Sequence, residues 1–361
     1  MAQTQNSTAT EASPTESEPR LHAAERRSRW PLRSLSPRRI SAFYLWIFFI
    51  ALFAVITPET FLTQTTFSLL FRSGVITCVL ALAFLVPLAA GGYDLSIGAV
   101  MALSLGIMIY LSIHSDIPVL ACALLALVAS GLTGFLSGYI VVRLHVNSFI
   151  ATLGVGQVLA GAVLLLSNNT QLIGELPDYW SDLGTSNFLG VPIVVYILVV
   201  LAAAMWYVLE FTPIGRYLFA TGGNPDAARL AGVPTDRVVW GAFVTSAMIA
   251  GLAGVIFSMQ NGLFSASIGP GYLFPAVASV FLGASQLSQR PNVWGTLIAY
   301  FALAFGIQGL ALSAASASVW SQPVFQGVSL IIAVAVASRP VVRKLRTPKS
   351  DVAAGGVPSD A

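Results

Sequence analysis

The chain has 361 residues, 56% of them hydrophobic and 9% charged, with a formal net charge of +3. A soluble domain averages about 25% charged residues, so this composition lacks the polar surface that a water-soluble fold needs. A membrane span takes roughly 20 mainly apolar residues, and the composition therefore reads as an all-α polytopic membrane protein with room for many spans.

Residues 1–40 are rich in Ser, Thr, Pro, Glu and Ala and poor in aromatics, which reads as a disordered, basic cytosolic tail. The first apolar stretch begins too far into the chain for a cleavable signal and is expected to be a retained first span. About ten transmembrane helices are expected, at roughly 41–57, 67–90, 94–113, 117–142, 148–167, 190–211, 238–261, 272–286, 293–312 and 323–338. Three are weaker candidates: 67–90 holds Arg72, 272–286 is short, and 323–338 starts on a proline. Together, 41–340 make a transmembrane domain, and 341–361 a second cytosolic tail. Gly134 and Gly138, like much of the Gly and Ala content, read as small residues that let spans approach closely.

Charge sorting gives the orientation, because Lys and Arg accumulate on cytosolic loops. Arg20, Arg26, Arg27, Arg29, Arg33, Arg38 and Arg39 precede the first span, so both termini of a ten-span chain face the cytosol. Threading then places Arg143, Arg216, Arg229, Arg237 and Arg290 inside, and Glu59, Asp116, Glu175, Asp178 and Asp182 outside, with Arg72 alone breaking the pattern. The net positive charge thus lies along the inner face of the cell membrane and calls for no nucleic-acid partner.

No enzyme signature is present. The histidines, His22, His114 and His145, are scattered, and Cys78 and Cys122 lie inside expected spans as two free thiols, so no metal site is expected. A P-loop would need Gly-Lys followed by Ser or Thr, and the lysine that precedes a serine, Lys349, follows Pro348. The chain binds no cofactor of its own on this reading, and any ATP and Mg would sit on a separate subunit.

Asp94, in "LAAGGYDLSIGAVMALSLG", has two readings. It marks a broken helix beside a transport path, with Gly91 and Gly92 opening the backbone, or it caps a helix starting at Leu95. Other mid-span polarity is mostly uncharged: Gln157, Thr245, Ser246, Gln260, Asn261 and Gln308. Amides and hydroxyls both donate and accept hydrogen bonds, as a path for a polyhydroxylated neutral solute requires. They also serve as glue between helices. Asp94, Gln157, Gln260, Asn261 and Gln308 are the transport-path candidates.

The polar stretch "GRYLFATGGNPDAARLAGVPTDRVVWG", Gly215 to Gly241, separates the sixth and seventh spans. Pro213 ends the sixth span, and Thr221, Gly222, Gly223, Asn224 and Pro225 read as a turn. Asn224 is the expected N-cap, Pro225 the first helical residue and Gly232 the stop of a short cytosolic helix. Thr235 or Asp236 is expected to cap the seventh span. Such a pinned helix reads as a docking surface rather than a bland loop.

With its following span, this stretch resembles the cytoplasmic coupling loop of the ribose/branched-chain type of ABC transporter permease, in the pattern of the sugar branch. "GGYDLSIGAVMAL", "NSFIATLGVGQVLAG" and "FLGASQLSQRPNVWGTLIAYFALAFGIQGLALS" resemble further segments of that family in the same order, and the likeness runs from about 41 to 340. The late loop departs from the family's usual glycine-rich run at Ala284, Gln286, Gln289 and Pro291, and "Tyr272-Leu-Phe-Pro275" lacks the usual acidic pair. The resemblance implies the membrane subunit of an ATP-driven importer for a sugar or sugar-like solute. Its implied partners are a cytosolic ABC ATPase, an extracytoplasmic solute-binding protein and a second permease copy or paralogue. The implied coupling residues are Gly222, Gly223, Asn224, Pro225, Ala227, Ala228, Arg229 and Gly232, with Arg229 either pairing with an ATPase acid or capping its own helix. The alternative from another class is a stand-alone secondary carrier or facilitator, which the scarcity of intramembrane charge disfavours.

Overall fold

The computed structural model describes residues 41–286, 290–313 and 320–337; both tails lie outside them. In lipid, backbone polar groups must be satisfied within the segment, and every apolar stretch accordingly forms a helix. The elements run α1 (Ser41–Ile56), α2 (Pro58–Phe61), α3 (Gln64–Ala89), α4 (Ile97–His114), α5 (Val119–Arg143), α6 (Ser148–Ser167), β1 (Leu172–Ile173) and α7 (Asp178–Thr185). They continue with β2 (Asn187–Phe188), β3 (Val191–Pro192), α8 (Ile193–Phe211), α9 (Pro213–Gly223), α10 (Pro225–Leu230), α11 (Thr235–Asn261), β4 (Leu263–Phe264), α12 (Ile268–Gln286), α13 (Val293–Leu312) and α14 (Ser321–Ala337).

Seven of these helices, α3, α4, α5, α6, α8, α11 and α13, are long and apolar enough to cross a bilayer. Shorter apolar stretches, Trp46–Ile56, Ile268–Ala284 and Pro323–Ile332, lie in α1, α12 and α14. Despite Arg72, α3 is among the seven, because the 17 residues that follow that arginine in the helix, Ser73 to Ala89, carry no charge.

The core is centred on α3 and α11. From Val75 to Leu85 of α3 every apolar side chain is buried, and α11 packs against α3, α4 and α5. The seam between α5 and α11 depends on small residues. A Cβ on Gly134 would sit 2.6 Å from both Ala247 Cβ and the Phe243 carbonyl, and one on Gly138 would strike the Trp240 ring. Trp240 in turn donates its indole N–H to the Phe135 carbonyl at 3.1 Å. The close-packing expectation for this glycine pair therefore holds.

At one end of the bundle α7 packs on α11, with the Trp180 indole donating to Ser258 Oγ at 3.1 Å. Two short antiparallel ladders, β1 with β4 and β2 with β3, complete this end. Arg72, the exception to charge sorting, lies here: its guanidinium donates to the Thr185 carbonyl and, at 2.9 Å, to Asn187 Oδ1. Gln260 donates to the Arg72 carbonyl at 3.0 Å. At the opposite end lie α9 and α10. There Arg290 forms an ion pair with Glu210 at 2.7 Å and lies 4.6 Å over the Phe219 ring.

Candidate coupling surface

The polar stretch forms two helices joined by one residue. Thr212 ends α8, and Pro213, which cannot continue that helix, instead opens α9 as its first residue. Thr221, Gly222 and Gly223, expected as part of a turn, are the last turn of α9. Asn224 alone breaks the chain, in an extended conformation, and its side chain accepts from the Ala227 N–H at 3.0 Å. Pro225 then starts α10 and Asp226 lies in its first turn, where the helix dipole favours an anion.

The far end of α10 closes on a two-bond cap. Val233 N–H reaches the Ala228 carbonyl and Gly232 N–H the Arg229 carbonyl, each at 3.0 Å, with Gly232 at φ +85°. That left-handed backbone is natural for glycine and strained for other residues. Capping of α11 differs from expectation. Its N-cap is Pro234, Thr235 makes no capping bond, and Asp236 turns back to Arg229 at 2.9 Å. Arg229 also donates to Thr235 Oγ1 at 3.3 Å. Within the chain, then, Arg229 ties α10 to the start of α11. The pair is well exposed and contributes little to stability.

Ala228 is buried and holds α10 to the bundle, whereas Leu230 is 91% exposed. Sequence reasoning did not single out Leu230, although a leucine beside Arg229 on a six-residue polar helix was a signal of an apolar anchor. Between α10 and the α5–α6 turn lies a cavity of about 390 Å³, lined in part by His145, Thr221, Arg229 and Asp236. The Thr221 hydroxyl is buried without a hydrogen-bond partner among the described residues.

Behind α10, the polar stretch meets the "GGYDLS" connector between α3 and α4. Gly91, at φ +85°, approaches α9 so closely that a Cβ on it would lie 3.1 Å from Gly222 Cα. In reverse, a Cβ on Gly222 would collide with the Ala89 carbonyl. Gly222 is thus a contact glycine. The open space around Gly223 shows no such demand.

Three residues further along this connector is Asp94, 1% exposed. One of its oxygens accepts from Ser96 N–H at 3.1 Å and Ser96 Oγ at 2.5 Å, and the other from Ser246 Oγ of α11 at 2.7 Å. The helix it precedes starts at Ile97, with Ser96 as N-cap, two residues later than Leu95. Thr152 of α6 accepts from Leu95 N–H at 3.0 Å, and Ser148 accepts from Tyr93 N–H at 3.0 Å. One connector therefore fastens α9, α11 and α6 together.

The other path candidates do not gather with Asp94. Gln260 and Asn261 lie at the α7 end of α11, about 21 Å from Ser246 by helical rise. Gln157 is exposed on α6, and Gln308 is half-buried on α13. Among the described residues no three His, Cys, Asp or Glu side chains are grouped to hold a metal ion.

Residues 65–335 match the family described as the branched-chain amino acid transport system / permease component. The chain belongs to this permease family. Members similar to it include the ribose import permease protein RbsC of Escherichia coli, 30% identical over 291 residues, covering 80% of this chain and 89% of that protein. The autoinducer 2 import system permease protein LsrC of Photorhabdus laumondii is 31% identical over 276 residues, 76% of this chain and 82% of that protein. The D-allose transport system permease protein AlsC of Escherichia coli is 26% identical over 299 residues, 82% and 91%. No solved structure matches this permease chain.

Proposed function

We propose that this chain is the membrane-spanning subunit of an ATP-driven importer for a sugar or sugar-like solute, with α10 as the element that a separate ATPase moves. The observation that carries the reading is the pinned α10: capped by Asn224, closed by Gly232, and backed through Gly222 onto the Gly91–Asp94 connector. A helix held this way passes on a rigid displacement instead of absorbing it in a flexible loop. Leu230 and the cavity beside Thr221 offer the ATPase an apolar anchor and a socket. The names of the relatives support the sugar-like cargo.

The ten-span reading, with α1, α12 and α14 joining the seven longer helices, puts α9 and α10 in the cytosol. Charge sorting supports it: Arg143, Arg216, Arg229, Arg237 and Arg290 fall at the α10 side. A binding protein outside would deliver solute, and two permease copies would enclose the path. ATP and Mg belong to the ATPase. A stand-alone carrier would need its own ion relay, and among the described residues Asp94 is the single buried carboxylate or basic side chain, already held by hydrogen bonds.

The test is uptake in vesicles reconstituted with ATPase and binding protein, across pentoses, hexoses and sugar alcohols. Accumulation of at least one class should require ATP, and Leu230→Asp, a fully tolerable surface change, should abolish both ATPase co-purification and uptake. Accumulation without ATP, or normal uptake by Leu230→Asp, overturns the reading.

A further inference from the structure

A trough of about 570 Å³ runs between α8, α9 and α11, away from the coupling contacts. Its walls include Leu201 and Met205 of α8 and Gly241 and Ile249 of α11, and Tyr217 and Arg237 stand at one end. From Arg237 to Ile249 is twelve residues of α11, roughly 18 Å at 1.5 Å per residue. One leaflet of hydrocarbon is about 15 Å deep, half of roughly 30 Å. The groove thus has the depth of a leaflet, with apolar walls and its cation at the end.

Among the described residues, the Arg237 guanidinium has no hydrogen bond, ion pair or ring contact. Of the other arginines of this region, Arg229 pairs with Asp236 and Arg290 with Glu210, and Arg216 of α9 does not line the trough. A second copy of the chain docked here would need to offer Arg237 an acid. At this end Glu210 and Asp236 are already paired, and Asp226 sits on α10. A lipid anion has no such difficulty, because it brings the negative charge and the acyl chain together.

We propose that this trough holds one anionic glycerophospholipid of the inner leaflet, its acyl chain between α8 and α11 and its phosphate on Arg237. The placement in the inner leaflet rests on the orientation proposed above. Since α9 and α11 flank α10, the lipid packs the walls on which the coupling helix is mounted.

The test is native mass spectrometry of the intact chain released from nanodiscs of equal phosphatidylglycerol and phosphatidylcholine. Wild type should retain phosphatidylglycerol preferentially. Arg237→Gln should cut that preference about fivefold, the worth of one cation near an anionic surface, and Arg237→Lys should keep most of it. Gly241→Leu fills the trough, where a Cβ meets open space in the folded chain, and should lose bound lipid of both kinds. Unchanged preference in Arg237→Gln, unchanged lipid in Gly241→Leu, or displacement of phosphatidylglycerol by inorganic phosphate would each overturn the proposal. So would loss of dimers in Gly241→Leu without loss of lipid, which would assign the trough to a second copy. Labelling of Arg237→Cys from each side separates the two readings: labelling from outside alone overturns the inner-leaflet placement.

Discussion

The two halves of α11 are both tied by polar contacts, but the ties differ in kind. In its first half, Ser246 bonds a carboxylate with 1% exposure, and the neighbouring connector meets α9 glycine to glycine. At its finish, Gln260 donates to the Arg72 carbonyl, and Arg72 reaches the segment around Thr185 through exposed hydrogen bonds. A buried carboxylate stripped of partners is costly, whereas an exposed bond exchanges readily with water. The Asp94 tie is therefore the costlier of the two to break, and the Arg72 tie the more readily exchanged.

Mutations can break this contrast. Asp94→Ala, which leaves the Ser96 and Ser246 hydroxyls without their acceptor, should cost about 3 kcal/mol and abolish uptake; thermal unfolding of the purified chain is the check. Gly232→Ala forces a side chain into left-handed backbone and should cost about 1–2 kcal/mol, with uptake reduced several-fold in vesicles while membrane insertion persists. Arg72→Ala should be the mildest, about 1 kcal/mol or less, with uptake near normal. If Arg72→Ala proves as damaging as Asp94→Ala, the two ties are equally costly to break and the contrast fails.

The short helix at 225–230 was legible because its signals are local: Asn-Pro at the start and Gly at the stop. The helices themselves were legible from apolar runs, and the Gly134–Gly138 seam from residue size alone. Gly222 was not. Gly-Gly reads as a turn because glycine costs about 1 kcal/mol inside a helix, and only the distant connector at Gly91 explains why α9 keeps it. The Arg229–Asp236 pair was not legible, since Asp236 comes alongside only after the Gly232 bend folds the chain back. The role of Arg72 likewise depends on α7, an eight-residue helix between the fifth and sixth expected spans, too short and polar to stand out among apolar runs. Asp94 lies between α3 and α4, next to the cap of α4 rather than as the cap.

The central claim is that motion of α10 enters the bundle through the Gly91–Gly222 contact. Gly222→Val tests it most directly, since a Cβ there collides with the Ala89 carbonyl and separates α9 from the connector. ATPase co-purification and ATP-driven uptake should be measured on the same preparation. The account predicts that the ATPase still binds while uptake falls at least tenfold. Normal uptake with Gly222→Val would contradict it.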